Sequence, residues 1–116
     1  MTANWGKLLA LDLYECAVNR LTDPAGLKNF ISDLVKVVDM VAHGECYVDR
    51  FGIGDLQGYS AMQFIETSSF TIHIDEKGNR VFIDIFSCKD FDAQKAEKFS
   101  QKYFGAKAIK STTLLR

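Results

Sequence analysis

The stretch Arg80-Val81-Phe82-Ile83-Asp84-Ile85-Phe86 alternates with a period of two, so Val81, Ile83 and Ile85 take one face of a strand and Phe82, Asp84 and Phe86 the other. A strand with aromatic side chains on its second face needs cover on both sides. The remaining sequence supplies cover for only one. Asp23-Pro24 starts a helix, with Asp as N-cap and Pro at the first helical position, and Leu27, Phe30, Ile31, Leu34, Val38 and Val41 follow at three- and four-residue spacing towards Gly44, the expected stop. Asp90 or Asp92 caps a second helix that runs to Phe104 and ends at Gly105.

Strands are expected over 8–14, 46–51, 59–66, 70–74, 80–86 and 106–115, with a hairpin across Glu76-Lys77-Gly78-Asn79. The order is β-α-β-β then β-β-α-β. It predicts an α/β (α+β) fold of two similar halves, a two-layer sandwich in which one antiparallel sheet carries both helices on one face. The uncovered face then packs on a second copy, giving a homodimer with four layers, αββα. Residues 1–116 form one domain, because a chain of 116 residues without linkers or low-complexity tracts holds one core and one modest site.

Fourteen basic residues against fifteen acidic ones leave a net charge of -1, which argues against nucleic acid as a partner. The lysines at 95, 98, 102, 107 and 110 are diluted by Asp90, Asp92 and Glu97 and read as a solvated helix face. No apolar run reaches the roughly 20 residues that span a bilayer, and the N-terminal residues lack the pattern of a signal peptide, so a cytoplasmic protein without a membrane partner is expected. Cys16, Cys46 and Cys88 are too few and too widely spaced for a disulfide framework, and with only His43 and His73 beside them no metal is expected.

Reactive side chains gather between Ser60 and Cys88. On a strand through 69–74, Ser69, Thr71 and His73 share one face and Phe70, Ile72 and Ile74 the other. A serine, a histidine and a cysteine are the parts of a nucleophile, a base and an acid. The same residues also fit a hydrogen-bonded strand imidazole and a small buried thiol.

The run Ile65-Glu66-Thr67-Ser68-Ser69-Phe70-Thr71-Ile72-His73, followed after fourteen residues by Cys88 in Ile83-Asp84-Ile85-Phe86-Ser87-Cys88, resembles the core of the small prokaryotic S-adenosylmethionine decarboxylase proenzymes. Gly6-Lys7-Leu8-Leu9-Ala10-Leu11-Asp12-Leu13-Tyr14-Glu15-Cys16 resembles that family's first strand. The resemblance implies self-cleavage between Thr67 and Ser68 into residues 1–67 and 68–116, with Ser68 becoming a pyruvoyl group, the only cofactor. Ser68 attacks the Thr67 carbonyl, His73 is the base for processing, and Ser60 helps to hold the intermediates. The pyruvoyl group then forms a Schiff base with a small-molecule substrate, and Cys88 returns a proton after CO2 leaves. A free thiol, with an ordinary pKa of about 8.5, carries its proton at neutral pH, as a donor must. The activity implied is decarboxylation of S-adenosylmethionine for polyamine (spermidine) biosynthesis.

Departures from the family pattern bear on the substrate. Thr67 stands where the family has Glu, Ser69 where it has His, Leu8 replaces a first-strand His, and Ile74-Asp75-Glu76 replaces an aromatic-proline-acid run. Phe51 is a platform for adenine or an interface residue. Glu15 binds ribose hydroxyls or an amine, or is an exposed strand-end carboxylate. Asp75 and Glu76 either hold a cationic substrate, which favours arginine or ornithine decarboxylation, or edge a solvated turn. Two further alternatives are an unprocessed, non-catalytic homologue acting as a partner subunit and an unrelated regulatory domain of ferredoxin-like fold.

Overall fold

The computed structural model describes residues 4–116. Strands β1 (Lys7–Tyr14), β2 (Ala42–Phe51), β3 (Gly58–Ile65), β4 (Ser68–Asp75), β5 (Arg80–Ser87) and β6 (Ala108–Leu115) form one antiparallel sheet in the order β2-β3-β4-β5-β1-β6. Helices α1 (Val18–Leu21), α2 (Pro24–Val37) and α3 (Ala93–Phe104) complete the fold. α2 lies against β2 and β3, and α3 against β1. The expected α+β sandwich, with both long helices on one face of the sheet, is what forms.

The core is the layer between sheet and helices. Leu9, Leu11 and Leu13 of β1, Phe70 and Ile72 of β4, and Val81, Ile83 and Ile85 of β5 are fully buried there. Each such side chain contributes about 1.5–3 kcal/mol through loss of apolar contact with water. From the helices come Phe30, Ile31, Leu34, Ala96 and Phe104. Phe30 is the hub, with ring centroids 5.5 Å from Phe99, 4.8 Å from Tyr103 and 4.9 Å from Phe104. Caps fix where the helices begin. Asp23 accepts the Gly26 N–H at 2.9 Å with Pro24 in the first turn, and Asp92, rather than Asp90, accepts the Lys95 N–H at the start of α3.

The end of α2 differs from expectation. The helix stops at Val37, seven residues short of Gly44, because Asp39 takes a left-handed conformation (φ 57) and closes a Schellman motif, with Asp39 N–H on the Lys36 carbonyl and Met40 N–H on Val35. The apolar spacing that includes Val38 and Val41 runs on past this stop, but Val41 is exposed. β2 therefore begins at Ala42, and Gly44 (φ 72) belongs to a bulge between His43 and Cys46. The buried Gln63 amide donates to the His43, Gly44 and Phe64 carbonyls and satisfies that bulge.

The two halves also interleave rather than sit side by side. β1 pairs with β5 on one edge (Leu9 opposite Ile85) and β6 on the other (Leu9 opposite Thr113), so the first strand lies inside the second half. On the face away from the helices, Tyr47, Met62, Phe64 and Leu114 are exposed and Leu8, Phe82 and Phe86 half-buried. No element of the described residues covers it.

Candidate active site

The antiparallel register gives the sheet two ends, and the candidate residues divide between them. At one end β3 turns into β4. Ile65 pairs with Ser68 across the two-residue loop Glu66-Thr67. Loops this short favour residues with positive φ, usually glycine or asparagine. Here neither loop residue has positive φ; Ser68 does, at 152°. That region is essentially reserved for glycine, and an L-residue in it carries about 1–3 kcal/mol of strain that its surroundings must impose.

The surroundings are specific. Glu66 N–H donates to the Val41 carbonyl at 2.9 Å, and the Thr67 carbonyl accepts the Cys88 N–H at 2.9 Å. Ser68 faces Ser87 in the β4–β5 pairing, which puts Cys88 one residue beyond it. Thus Thr67, Ser68 and Cys88 meet at one end of the sheet. Cys88 is exposed and lies on a cavity of about 230 Å³ lined by Trp5, Gly6, Lys7, Ser87 and Leu115. Trp5 stands against Phe86 with centroids 5.7 Å apart. Lys7 donates to the Phe91 carbonyl at 2.6 Å and pairs with Asp90 at 2.8 Å, which pins the segment after Cys88 and holds the Asp90 carboxyl below its usual range.

His73 and Ser60 are directly paired across β3 and β4, with His73 Nδ1 and Ser60 Oγ 2.9 Å apart. They belong to the other end. His73 lies five positions along β4 from Ser68, a rise of about 16 Å, and the odd spacing points the two side chains to opposite faces. The expected set on one sheet is therefore not a set within one chain. The strand was read as 70–74; its extension to Ser68 creates the separation.

The expected substrate residues also lie at the His73 end. Phe51 is exposed at the end of β2, and Glu15 (φ 51) follows β1 beside the Asn79 turn. Asp75 accepts Arg80 Nε at 2.8 Å, and Glu76 takes Arg50 Nε and one Arg50 terminal nitrogen at 2.9 Å each. Those guanidinium contacts hold both carboxyls below their ordinary pKa. A cavity of about 560 Å³ here is lined by Leu56, His73, Asp75, Arg80 and Phe82. Ser87, Met40 and Lys7, given no role in the sequence, touch the turn or the Cys88 segment; Ser87 appears there only as the residue before Cys88 in the motif run. Among the described residues no group of three or more His, Cys, Asp or Glu side chains converges as metal ligands.

The family model described as S-adenosylmethionine decarboxylase matches residues 7–116. The chain belongs to the S-adenosylmethionine decarboxylase family. A crystal structure of the adenosylmethionine decarboxylase from Aquifex aeolicus VF5 is similar in fold, with a TM-score of 0.83 and 16% identity over 99% of this chain and 92% of that one. No curated protein matches the sequence. Membership in the S-adenosylmethionine decarboxylase family makes this a carboxy-lyase scaffold for a small-molecule substrate, in a family that is generally pyruvoyl-dependent. The residues present fit such a group: residue 68 is a serine, its backbone is strained, and the carbonyl before it already has a donor. No helix among the described residues is long and apolar enough to cross a membrane.

Proposed function

We propose that this chain is a self-processing, pyruvoyl-dependent S-adenosylmethionine decarboxylase that works in the cytoplasm in polyamine (spermidine) synthesis. One observation carries the reading: Ser68 stands at φ 152 immediately after a carbonyl that accepts the Cys88 N–H.

Attack of the Ser68 hydroxyl on the Thr67 carbonyl carbon puts negative charge on the carbonyl oxygen. The Cys88 N–H, 2.9 Å from that oxygen, stabilises the charge without having to move. Strain at Ser68 raises the energy of the intact chain and is released when the bond to Thr67 opens. The Thr67–Ser68 amide bond breaks to leave an ester, and removal of the Ser68 α-proton with cleavage of the Cβ–O bond frees the Thr67 carboxylate and leaves dehydroalanine. Water converts that to the pyruvoyl group with loss of ammonia; the products, residues 1–67 and 68–116, stay joined through the β3–β4 and β4–β5 pairings. A pyruvoyl group at position 68 supplies the electron sink for loss of CO2 from an amine substrate. Cys88 is the proton donor to the carbon left behind, and the adjoining cavity admits the substrate.

The base is His73, held by Ser60, but not within one chain. Two copies packed through Tyr47, Met62 and Phe64 with their sheets antiparallel join unlike ends, so a partner copy's histidine at this position approaches the backbone of the Thr67–Ser68 turn. The exposed apolar face supports this homodimer. Phe51, Glu15 and Asp75 then belong to the same composite pocket. Decarboxylation of arginine or ornithine is less well served, because Asp75 and Glu76 are already engaged by Arg80 and Arg50.

Denaturing intact mass of fresh protein tests the reading. Two pieces meeting at Thr67/Ser68, the smaller reducible by borohydride, and labelled CO2 released from S-adenosylmethionine but not from arginine or ornithine are the expected results. A lasting single chain that releases no CO2 overturns it in favour of the non-catalytic homologue.

A further inference from the structure

The Thr67 side chain, at a position where the sequence resemblance implies a glutamate, is tied into a chain of hydroxyls. Thr67 Oγ1 is 2.8 Å from Ser87 Oγ and 3.4 Å from Met40 Sδ, and Lys89 N–H donates to Ser87 Oγ at 3.0 Å. With Lys89 N–H donating to Ser87, either hydroxyl can donate across the 2.8 Å contact, and the other then reaches the Met40 sulfur: Ser87 O–H to Thr67 with Thr67 O–H to sulfur, or Thr67 O–H to Ser87 with Ser87 O–H to sulfur at 3.7 Å. Ser87 is fully buried and Met40 nearly so, so the Ser87 hydroxyl is shut off from water, whereas Thr67 is half-buried. Met40 is itself fixed by its N–H on Val35 in the motif that ends α2.

We propose that Ser87 is a positioning residue for the cleavage. It acts through Thr67, holding that residue's carbonyl on the Cys88 N–H and forcing the positive φ onto Ser68. The geometry supports this because the same two-residue segment, Ser87-Cys88, grips Thr67 twice: its hydroxyl holds the side chain and its next amide holds the carbonyl. Strain persists only where the surroundings over-determine a residue, and the Ser87 grip is one of the three ties on this turn, with Glu66 N–H on Val41 as the third. The inference rests on the self-processing reading for its rate consequence but not for its structural one.

Two measurements test it. In protein made by cell-free translation, so that time zero is defined, the appearance of the 1–67 and 68–116 pieces is followed by mass. Ser87→Ala is expected to slow cleavage about tenfold, the effect of losing one hydrogen bond worth about 1.4 kcal/mol in the transition state, and Ser87→Thr to restore it. Cleavage of Ser87→Ala at the parent rate, or no rescue by threonine, overturns the proposal. The second measurement needs no cleavage. In an uncleavable Ser68→Ala chain, Ser87→Ala is expected to speed exchange of the Cys88 amide severalfold and leave the central amides of Ile72 and Ile83 as they were, again with rescue by threonine. An unchanged Cys88 amide overturns the positioning role whatever the parent does at Thr67/Ser68, whereas a parent that never cleaves but shows this change counts against the processing reading alone.

Discussion

Replacing Ser68 by glycine and, separately, by alanine separates backbone strain from chemistry. Both variants lack the hydroxyl and stay as intact chains, so their stabilities are directly comparable. At φ 152 alanine keeps the strain of about 1–3 kcal/mol, and glycine does not. Against that, glycine in a strand costs about 0.5–1 kcal/mol more than alanine in backbone entropy. The difference leaves the glycine variant more stable by about 1 kcal/mol. For a domain of this size that raises Tm by about 4 °C. Thermal and urea unfolding of the two variants, run at the same protein concentration because association shifts Tm, measure it. In an unstrained strand the order inverts, with alanine more stable by about 0.5–1 kcal/mol. Observing that inverted order would falsify the claim that the scissile serine is held under strain.

Three other outcomes follow from particular contacts. Burial pushes the Cys16 thiol up to about 11, so the unfolded chain loses this proton first and the stability it confers, complete below about pH 9, falls as pH rises towards 11. Melts from pH 7 to 10.5 should show a drop that is smaller in Cys16→Ala; equal drops refute it. The Glu76 carboxyl is depressed by the Arg50 hydrogen bond, so its contribution is present above about pH 4.5 and lost as pH falls; Arg50→Gln should lower stability slightly at pH 7 and make no difference at pH 2, and an equal loss at both pH values in urea unfolding refutes the linkage. Phe64→Lys, on the exposed sheet face and four residues along β3 from Ser60, is expected to turn the proposed dimer into monomer by light scattering and to halt cleavage with it; a dimer that persists removes that face as the interface.

Most of the architecture was legible in local pattern. The alternation in 80–86, the Asp23-Pro24 start and the Gly105 stop each act over a few residues, so sequence order alone carries them. The end of α2 was not legible, because an aspartate in place of glycine at the left-handed position leaves no distinctive mark and the apolar spacing continues through Val41. In the candidate site, Ser68 and Cys88 were legible through a resemblance in motif. Ser87 and Met40 were not, since they lie 20 and 47 residues from their partners Thr67 and Ser87 and meet only when β4 pairs with β5 over the end of α2.

The sequence by itself determined the element types, the two helix starts, the apolar second face of the sheet and the chemical identities of Ser68, His73 and Cys88. Only the tertiary structure decided how those three are distributed. Strand pairing joins residues by register rather than by nearness in the chain, so Cys88, twenty positions from Ser68, comes to the cleavage turn, while His73, five positions away, is carried by the rise of β4 to the far end of the sheet. The strain at Ser68 has the same origin: a two-residue loop of ordinary L-residues closes between two strands whose register is already fixed, and the conformational mismatch falls on the first residue after the turn.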